Sequence, residues 1–404
     1  MQFDVITIRE LEKEYGLPLY VFDEKAFVEN YSRFERCFRN AYENYRVSYS
    51  YKTNYTPYVC KLIKQLGGYA EVVSGMEYYI AKEIGYEDDK IIFNGPDKGQ
   101  DGVRAFLNGS IINVDNIAEL QELCDVAQRF SDKQFRCGLR VNLDVGQNFV
   151  SRFGMDERDI HVAFEQVSKV ANLTISGLHC HISRCRGIDA WKKRTEIMIS
   201  LADKFFDNAP EYIDLGSGMF GAMALSFAAQ FSDVPTYEDY ALVTAKLITD
   251  HYQEAEKKPI LFTEPGTTLI NKYFDVISRV DAIKTINGKT FAVLDCSEHN
   301  LGETCTLKQL PIEVVWNNNN ADIYNDVSFT GYTCLEQDVM YSGYSGELAV
   351  GDYVVFGNTG GYSNVLKPPF IKPNCAMVVC TEGEEFKLIK RAETYEDLLH
   401  TYTF

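Results

Sequence analysis

Lys52 closes the run Tyr45–Lys52 (YRVSYSYK), which is otherwise largely apolar and aromatic. A lysine there is costly to bury unless it is paired or neutral, and a lysine whose pKa falls on desolvation can form a Schiff base. Other chemically active residues close further apolar runs: Glu71 and Ser74, Arg140 and Asn142, His179 and His181, Gly216-Ser217-Gly218, and Glu264-Pro265-Gly266. A Gly-Ser-Gly turn at the end of a strand presents free backbone N–H groups to a phosphate. A carboxylate buried beneath a ligand, as Glu264 would be, must face something cationic or protonated. Together these residues describe a pyridoxal 5'-phosphate pocket with a Schiff-base lysine, a phosphate cradle and a partner for the pyridinium nitrogen. No metal-ligand spacing accompanies them, so no metal is expected.

The elements that must position these residues follow one pattern. Strand-like runs at Tyr45–Lys52, Tyr69–Ser74, Ile91–Gly95, Ser110–Asp115, Phe135–Asn142, Ile175–Ile182, Tyr212–Gly218 and Pro259–Gly266 alternate with helix-like stretches. The latter include Thr56–Leu66, Met76–Ile84, Ile117–Phe130 and Tyr237–Glu256, and in the third Ile117, Leu120, Leu123 and Val126 keep helical spacing. Eight alternating units imply parallel pairing in an α/β fold, a (β/α)8 TIM barrel in preference to an open sheet, with functional groups at the C-terminal strand ends. Beyond Tyr273 strand-like runs follow without long helices: Phe274–Thr285, Thr290–Leu294, Ile312–Trp316, Asp326–Thr333, Asp352–Phe356 and Ala376–Cys380, with turn signals at Asn287-Gly288 and Gly351-Asp352. This is a second, all-β domain. WNNNN (Trp316–Asn320) reads as a polar loop. Leu17–Phe22 precedes the first unit and needs a partner outside the barrel, which the β domain can supply. The expected domains are a barrel over 25–273 and a β domain formed by 1–24 with 274–404.

Composition bounds the partners. The 404 residues carry a formal net charge of −18, with 46% hydrophobic, 24% charged and 13% aromatic residues. An acidic chain without a basic stripe disfavours nucleic acid and anionic membrane surfaces. No run of apolar residues is long enough to span a bilayer, and the charged N-terminus lacks the apolar core of a signal peptide. Eleven scattered cysteines without a CxxC pair read as reduced thiols, so a cytoplasmic location is expected.

YSYKTN (Tyr49–Asn54) resembles the YAVKAN motif of the alanine racemase-like, fold-type III pyridoxal-phosphate decarboxylases, which act on diaminopimelate, ornithine and arginine. The likeness runs in order through AEVVSGME (Ala70–Glu77), FNGPDK (Phe93–Lys98), NVDNIAEL (Asn113–Leu120), RVNLD (Arg140–Asp144), RFGM (Arg152–Met155), GLHCHI (Gly177–Ile182) and DLGSG (Asp214–Gly218). It ends with TEPG (Thr263–Gly266), GYTCLEQDVM (Gly331–Met340) and GDYVVFGNTGGY (Gly351–Tyr362). The resemblance implies decarboxylation through a Lys52 Schiff base and a quinonoid intermediate. Glu264 would face the pyridine nitrogen, His181 would stack on the ring, and Gly216, Ser217, Gly218 and Tyr362 would hold the phosphate. Glu71, Arg140, Gly266 and Thr267 complete the expected cofactor set. Cys334 would return a proton to the substrate carbon from a second subunit, which implies a homodimer with shared sites.

The sequence departs from that pattern where substrate is held. The family's EPGR reads EPGT, with Thr267 at the arginine position. The GSQ segment reads Ser183-Arg184-Cys185, and Leu335 stands where diaminopimelate decarboxylases carry a glutamate after the cysteine. Their RPxLY segment is replaced, with Glu303 near the arginine position. Arg184, Glu303, Leu335 and Asp338 are therefore the candidate substrate contacts. Loss of an arginine that grips a distal carboxylate removes a bidentate contact. An amino acid or carboxylated conjugate other than diaminopimelate is expected, with a polyamine or secondary-metabolite role. The alternatives are an amino-acid racemase of the similar barrel family, which would place an arginine opposite the pyridine nitrogen, and a non-catalytic homologue.

Overall fold

A computed structural model describes residues 1–147, 149–317 and 321–404. The last three residues of the WNNNN stretch, 318–320, lie outside the described residues. The chain divides into two compact units: residues 31–221 with 233–268, and residues 1–30 with 222–232 and 269–404.

In the first unit eight parallel strands close on themselves. They are β2 (Tyr45–Ser50), β3 (Tyr69–Val72), β4 (Ile91–Phe93), β5 (Ile111–Val114), β6 (Phe135–Arg140), β7 (Leu173–His179), β8 (Tyr212–Asp214) and β9 (Ile260–Thr263), numbered after β1 (Leu19–Asp23) of the other unit. Each pairs with the next in parallel, and Val47 of β2 opposite Thr263 of β9 closes the ring. The expected TIM barrel is present. Most strands stop two to four residues earlier than the sequence suggests, because the residues that follow turn away to line the strand ends. Lys52 thus sits in a single 3₁₀ turn, Tyr51–Thr53, directly after β2. Ser74 does not end a strand; it caps the helix Gly75–Glu83 by accepting the Glu77 N–H. The long helix expected over Tyr237–Glu256 is two helices, Tyr237–Val243 and Ala245–His251. They break at Thr244, whose hydroxyl donates to the Tyr240 carbonyl at 2.6 Å.

One end of the barrel is filled by aromatic rings. Tyr69, Ile92, Tyr212 and Phe262 form a buried cluster, with the Tyr69 and Phe262 rings edge to face at 5.0 Å. The Tyr212 ring fits because its neighbours have no side chain. A Cβ on Gly177 would lie 2.5 Å from that ring, and one on Gly138 would lie 1.9 Å from its hydroxyl oxygen.

The second unit is built on strands β10 (Phe274–Ile286), β11 (Lys289–Leu294), β12 (Ile312–Val315), β13 (Asp322–Thr330), β14 (Val339–Leu348), β15 (Tyr353–Phe356), β16 (Ala376–Cys380) and β17 (Phe386–Lys390). The sheet runs β14-β13-β11-β10-β1-β16-β17, with β15 pairing β10 and β12. The N-terminal β1 lies antiparallel to β10 and parallel to β16. Asn287 and Gly288 both take positive φ and join β10 to β11 as a two-residue hairpin loop. The helix Val5–Tyr15, capped by Asp4, packs Ile8 and Leu11 onto the same core as Leu19, Val21 and Val378.

This unit reaches further into the chain than the expected boundaries. Asn30 donates to the Leu269 carbonyl at 3.3 Å, Phe27 meets Tyr273 edge to face at 6.2 Å, and Gln230 donates to the Gln309 carbonyl at 2.7 Å. The sequence reading omits strands β14 and β17; β14 is half exposed with serine and glycine breaking its apolar period, and β17 is only five residues long with no buried residue. No helix among the described residues is long and apolar enough to cross a membrane.

Gly177→Ala is expected to overpack the ring cluster and lower stability by about 1–3 kcal/mol, read as a reduced urea midpoint with the unfolding slope unchanged.

Candidate functional site

The C-terminal ends of the barrel strands converge on a row of buried polar side chains. Lys52 Nζ lies 2.6 Å from Glu71 Oε2, to which the Ser50 hydroxyl also donates at 2.5 Å. The other oxygen of Glu71 accepts from Asn94 Nδ2 at 3.1 Å, and the same nitrogen donates to Glu264 Oε1 at 2.5 Å. One amide thus spans two buried carboxylates. The row continues inward: Asn113 Nδ2 donates to Asn94 Oδ1 at 2.9 Å, and the Tyr212 hydroxyl donates to Asn113 Oδ1 at 2.6 Å. Tyr212 thereby fixes which way Asn113 points, Asn113 fixes Asn94, and Asn94 must turn its N–H groups to the carboxylates.

Glu264 is 1% exposed, and His179 Nε2 stands 3.3 Å from its Oε1. Burial opposes its ionisation. His179, by charge and hydrogen bond, with the nearby His181 ring and the Lys52 charge, outweighs that and holds Glu264 well below the usual carboxylate range. Asp214 shows the opposite balance. Burial, then the Glu264 charge, raises it well above that range, against the Gly216 N–H that donates to its Oδ1 at 2.9 Å. Burial lowers His181 to about 4, so its ring is neutral near pH 7, and its Nδ1 accepts the Ser217 N–H at 3.3 Å. Ligand atoms of His179, Asp214 and Glu264 lie within 4.8 Å of one another, a set able to hold a cation. Glu264 Oε1 in this set already accepts the Asn94 N–H.

The turn after β8 is shaped for close approach. Gly216 and Gly218 have φ of +61° and +103°, and a Cβ on either would stand 2.3 Å or 2.5 Å from a carbonyl oxygen of the segment 180–182. Gly266 is equally tight, with Thr53 Oγ1 2.0 Å from a Cβ built there. The following threonines close over the turn, Thr268 Oγ1 donating to the Met219 carbonyl at 3.0 Å. Thr267 is half-buried. Arg140, buried at the end of β6, pairs with Asp115 at 3.4 Å and covers the Phe153 ring at 4.6 Å. Arg184 is exposed.

The remaining expected residues belong to the second unit. Cys334 is an exposed thiol, Leu335 is half-buried, and Glu303 is exposed at the start of the helix Glu303–Leu307. Asp338 is buried with both oxygens engaged: Oδ1 accepts the Glu298 N–H at 2.8 Å, and Oδ2 accepts the Thr333 hydroxyl at 2.5 Å. It holds the turn that carries Cys334. Tyr362 has φ of +56°, a conformation that costs a bulky residue energy and is kept where the side chain must point one way.

Pyridoxal phosphate fits the barrel-end set. A phosphate suits the glycine-flanked turn, and two buried polar atoms beside Glu264, His179 Nδ1 and Asp214 Oδ2, have no partner among the described residues. Sequence reasoning found Lys52, Glu71, His181 and Glu264 but passed over Asn94, Asn113 and Asp214. Asn94 follows the run Ile91–Phe93 and was open to the same strand-end rule.

Comparison with known proteins agrees. Residues 26–271 match the model of the pyridoxal-dependent decarboxylases' pyridoxal binding domain. The diaminopimelate decarboxylase of Aquifex aeolicus is 28% identical over 414 residues, covering 97% of this chain and 93% of the relative. That of Neisseria meningitidis serogroup A is 27% identical over 401 residues, covering 96% and 95%. Among solved structures, diaminopimelate decarboxylase from M. jannaschii in complex with L-lysine superposes with a TM-score of 0.84 at 24% identity, covering 98% of this chain and 94% of the other. The expectation of a substrate other than diaminopimelate finds no support in these names.

Two outcomes follow from the geometry. Asn94→Leu removes both N–H donors and leaves two carboxylates facing each other, so a loss of about 3 kcal/mol or more is expected by urea unfolding. Glu77, 4% exposed, is raised to about 7 by burial, against the Val73 N–H and with the Glu71 charge adding to it. Its folded pKa lies above the ordinary value of 4.5, so its contribution is full below that value and is lost as pH rises through about 7. Glu77→Gln is expected to remove that decline from the pH profile of the urea midpoint.

Proposed function

The chain belongs to the pyridoxal-dependent decarboxylases, and from that premise we propose that it releases carbon dioxide from an amino acid at the barrel strand ends, with Lys52, Glu264 and Cys334 nearest the chemistry. The observation that carries the reading is the row Lys52–Glu71–Asn94–Glu264, a half-buried lysine linked to three buried polar side chains. When bound, pyridoxal phosphate supplies an aldehyde carbon for the substrate amine and a ring that takes up the electron pair left by carbon dioxide.

The side chains do the rest. Glu264, ionised and held by Asn94 and His179, keeps a proton on the ring nitrogen, which makes the ring a strong electron acceptor. Glu71 aims Lys52 Nζ and would hold or return the proton of that amine. Neutral His181 presents an uncharged flat ring, suited to lie against an aromatic face. Gly216, Ser217, Gly218, Gly266 and Thr267, with Tyr362, receive the phosphate, and Arg140 lends positive charge nearby. Cys334, an exposed thiol, protonates the substrate carbon after carbon dioxide has left. We assign that thiol to the site of a second copy, so the working assembly is a homodimer. Arg184, Glu303 and Leu335 are the side chains offered to the substrate's distal end, while Asp338 serves by holding the Cys334 turn. The relatives named above act on diaminopimelate by name, which supports that diamino diacid as the first substrate.

The purified protein is expected to show a visible band that borohydride abolishes while adding the cofactor's mass to Lys52. Carbon dioxide release is then measured with diaminopimelate, lysine, ornithine and arginine; release from none of them overturns this substrate class. Cys334→Ala is expected to lower kcat by roughly 100-fold or more. Mixing inactive Lys52→Ala with Cys334→Ala protein restores up to about a quarter of the activity if two copies share each site; no recovery overturns the shared site.

A further inference from the structure

A buried guanidinium stands behind the glycine turn. Arg194, on the helix Ile188–Phe205, is 0% exposed. Its Nη1 donates to the carbonyls of Leu215 at 2.9 Å and Ser217 at 3.0 Å, and its Nη2 to the carbonyl of Ile182 at 3.0 Å. Trp191, one turn earlier, lies 4.0 Å from the guanidinium carbon and meets Tyr240 edge to face at 5.6 Å. The Tyr240 hydroxyl accepts the Phe220 N–H at 3.1 Å. The cluster therefore grips the chain on both sides of Gly216–Gly218 and just beyond His181.

This cation has no counter-charge in contact. Among the described residues no carboxylate pairs with Arg194, and its Nε has no partner. Burial pulls its pKa down. Carbonyl dipoles offset part of the cost of an isolated buried charge, and an anion close by would offset more. The geometry indicates where that anion belongs. A trans peptide unit turns its N–H away from its carbonyl. With the Ser217 carbonyl held by Arg194, the Gly218 N–H faces the opposite side, and it has no hydrogen-bond partner among the described residues. A charged donor on the carbonyl polarises the same peptide and makes that N–H a stronger donor. The Gly216 N–H differs, being engaged by Asp214.

We propose that Arg194 is a positioning residue for the cofactor phosphate, aiming and polarising the Gly218 N–H of the Gly216-Ser217-Gly218 turn and lending the turn positive potential from behind. The inference rests on the reading of that turn as the phosphate cradle. The full chain, freed of bound cofactor, is titrated with pyridoxal phosphate and with pyridoxal, which lacks the phosphate. Wild-type protein is expected to prefer the phosphorylated form; equal affinities overturn the reading of the turn itself. Arg194→Met and Arg194→Gln are expected to weaken pyridoxal phosphate roughly 10- to 100-fold and pyridoxal less than about threefold, with Arg194→Lys recovering part of the difference. A wild-type preference that survives both neutral substitutions, or equal weakening of both ligands, overturns the role of Arg194. The glutamine variant decides alone if the methionine variant does not fold.

Discussion

Two neighbouring buried carboxylates are tolerable only if their oxygens find donors, and the Asn94 amide donates to both at once. Its nitrogen serves Glu71 and Glu264, while its oxygen is claimed by Asn113. An aspartate would add a third acceptor, and a leucine would leave two charges unsolvated. Because Asn94 is locked, Glu71 has an oxygen free for Lys52 and Glu264 has one turned toward the histidines. The directions of lysine and acid follow from one side-chain amide.

That amide is oriented from the far end of the barrel. The Tyr212 hydroxyl decides the orientation of Asn113, and Tyr212 occupies its place because Gly138 and Gly177 leave room for it. Packing at one end of the fold thus sets the hydrogen-bond polarity at the other. Asp214 and Glu264 add a further constraint: burial and the Glu264 charge push Asp214 up, while the histidines and Lys52 pull Glu264 down.

Much of this was legible in the sequence, for identifiable reasons. Lys52, Glu264 and the glycine turn interrupt apolar strands, and an interruption costs too much to be accidental. Strands β2 to β9 declare themselves because they are mostly buried and read as short apolar or aromatic runs alternating with helical stretches. Asn94 belonged to the same class, but its importance depends on partners from three other strands, which no local pattern reveals. Arg194 was hidden differently. It follows Lys192 and Lys193, both exposed, and looks like the third member of a charged helix face, yet the helix turns it inward. Strand β14, rich in serine and glycine, has no apolar period to read.

The position of β1 carries a consequence for how the molecule is made. Leu19–Asp23 leaves the ribosome early, yet its two neighbours in the sheet are β10 and β16, and the entire barrel is synthesised before the first of them. During that interval a five-residue apolar strand has both edges open, a state that invites pairing with other chains. In the barrel each strand from β2 to β8 finds a neighbour within the next unit of sequence, and only the β2–β9 closure waits for the last strand. The barrel therefore has the means to form first, and the sheet of the second unit is completed only when Ala376–Cys380 arrives to close the far side of β1.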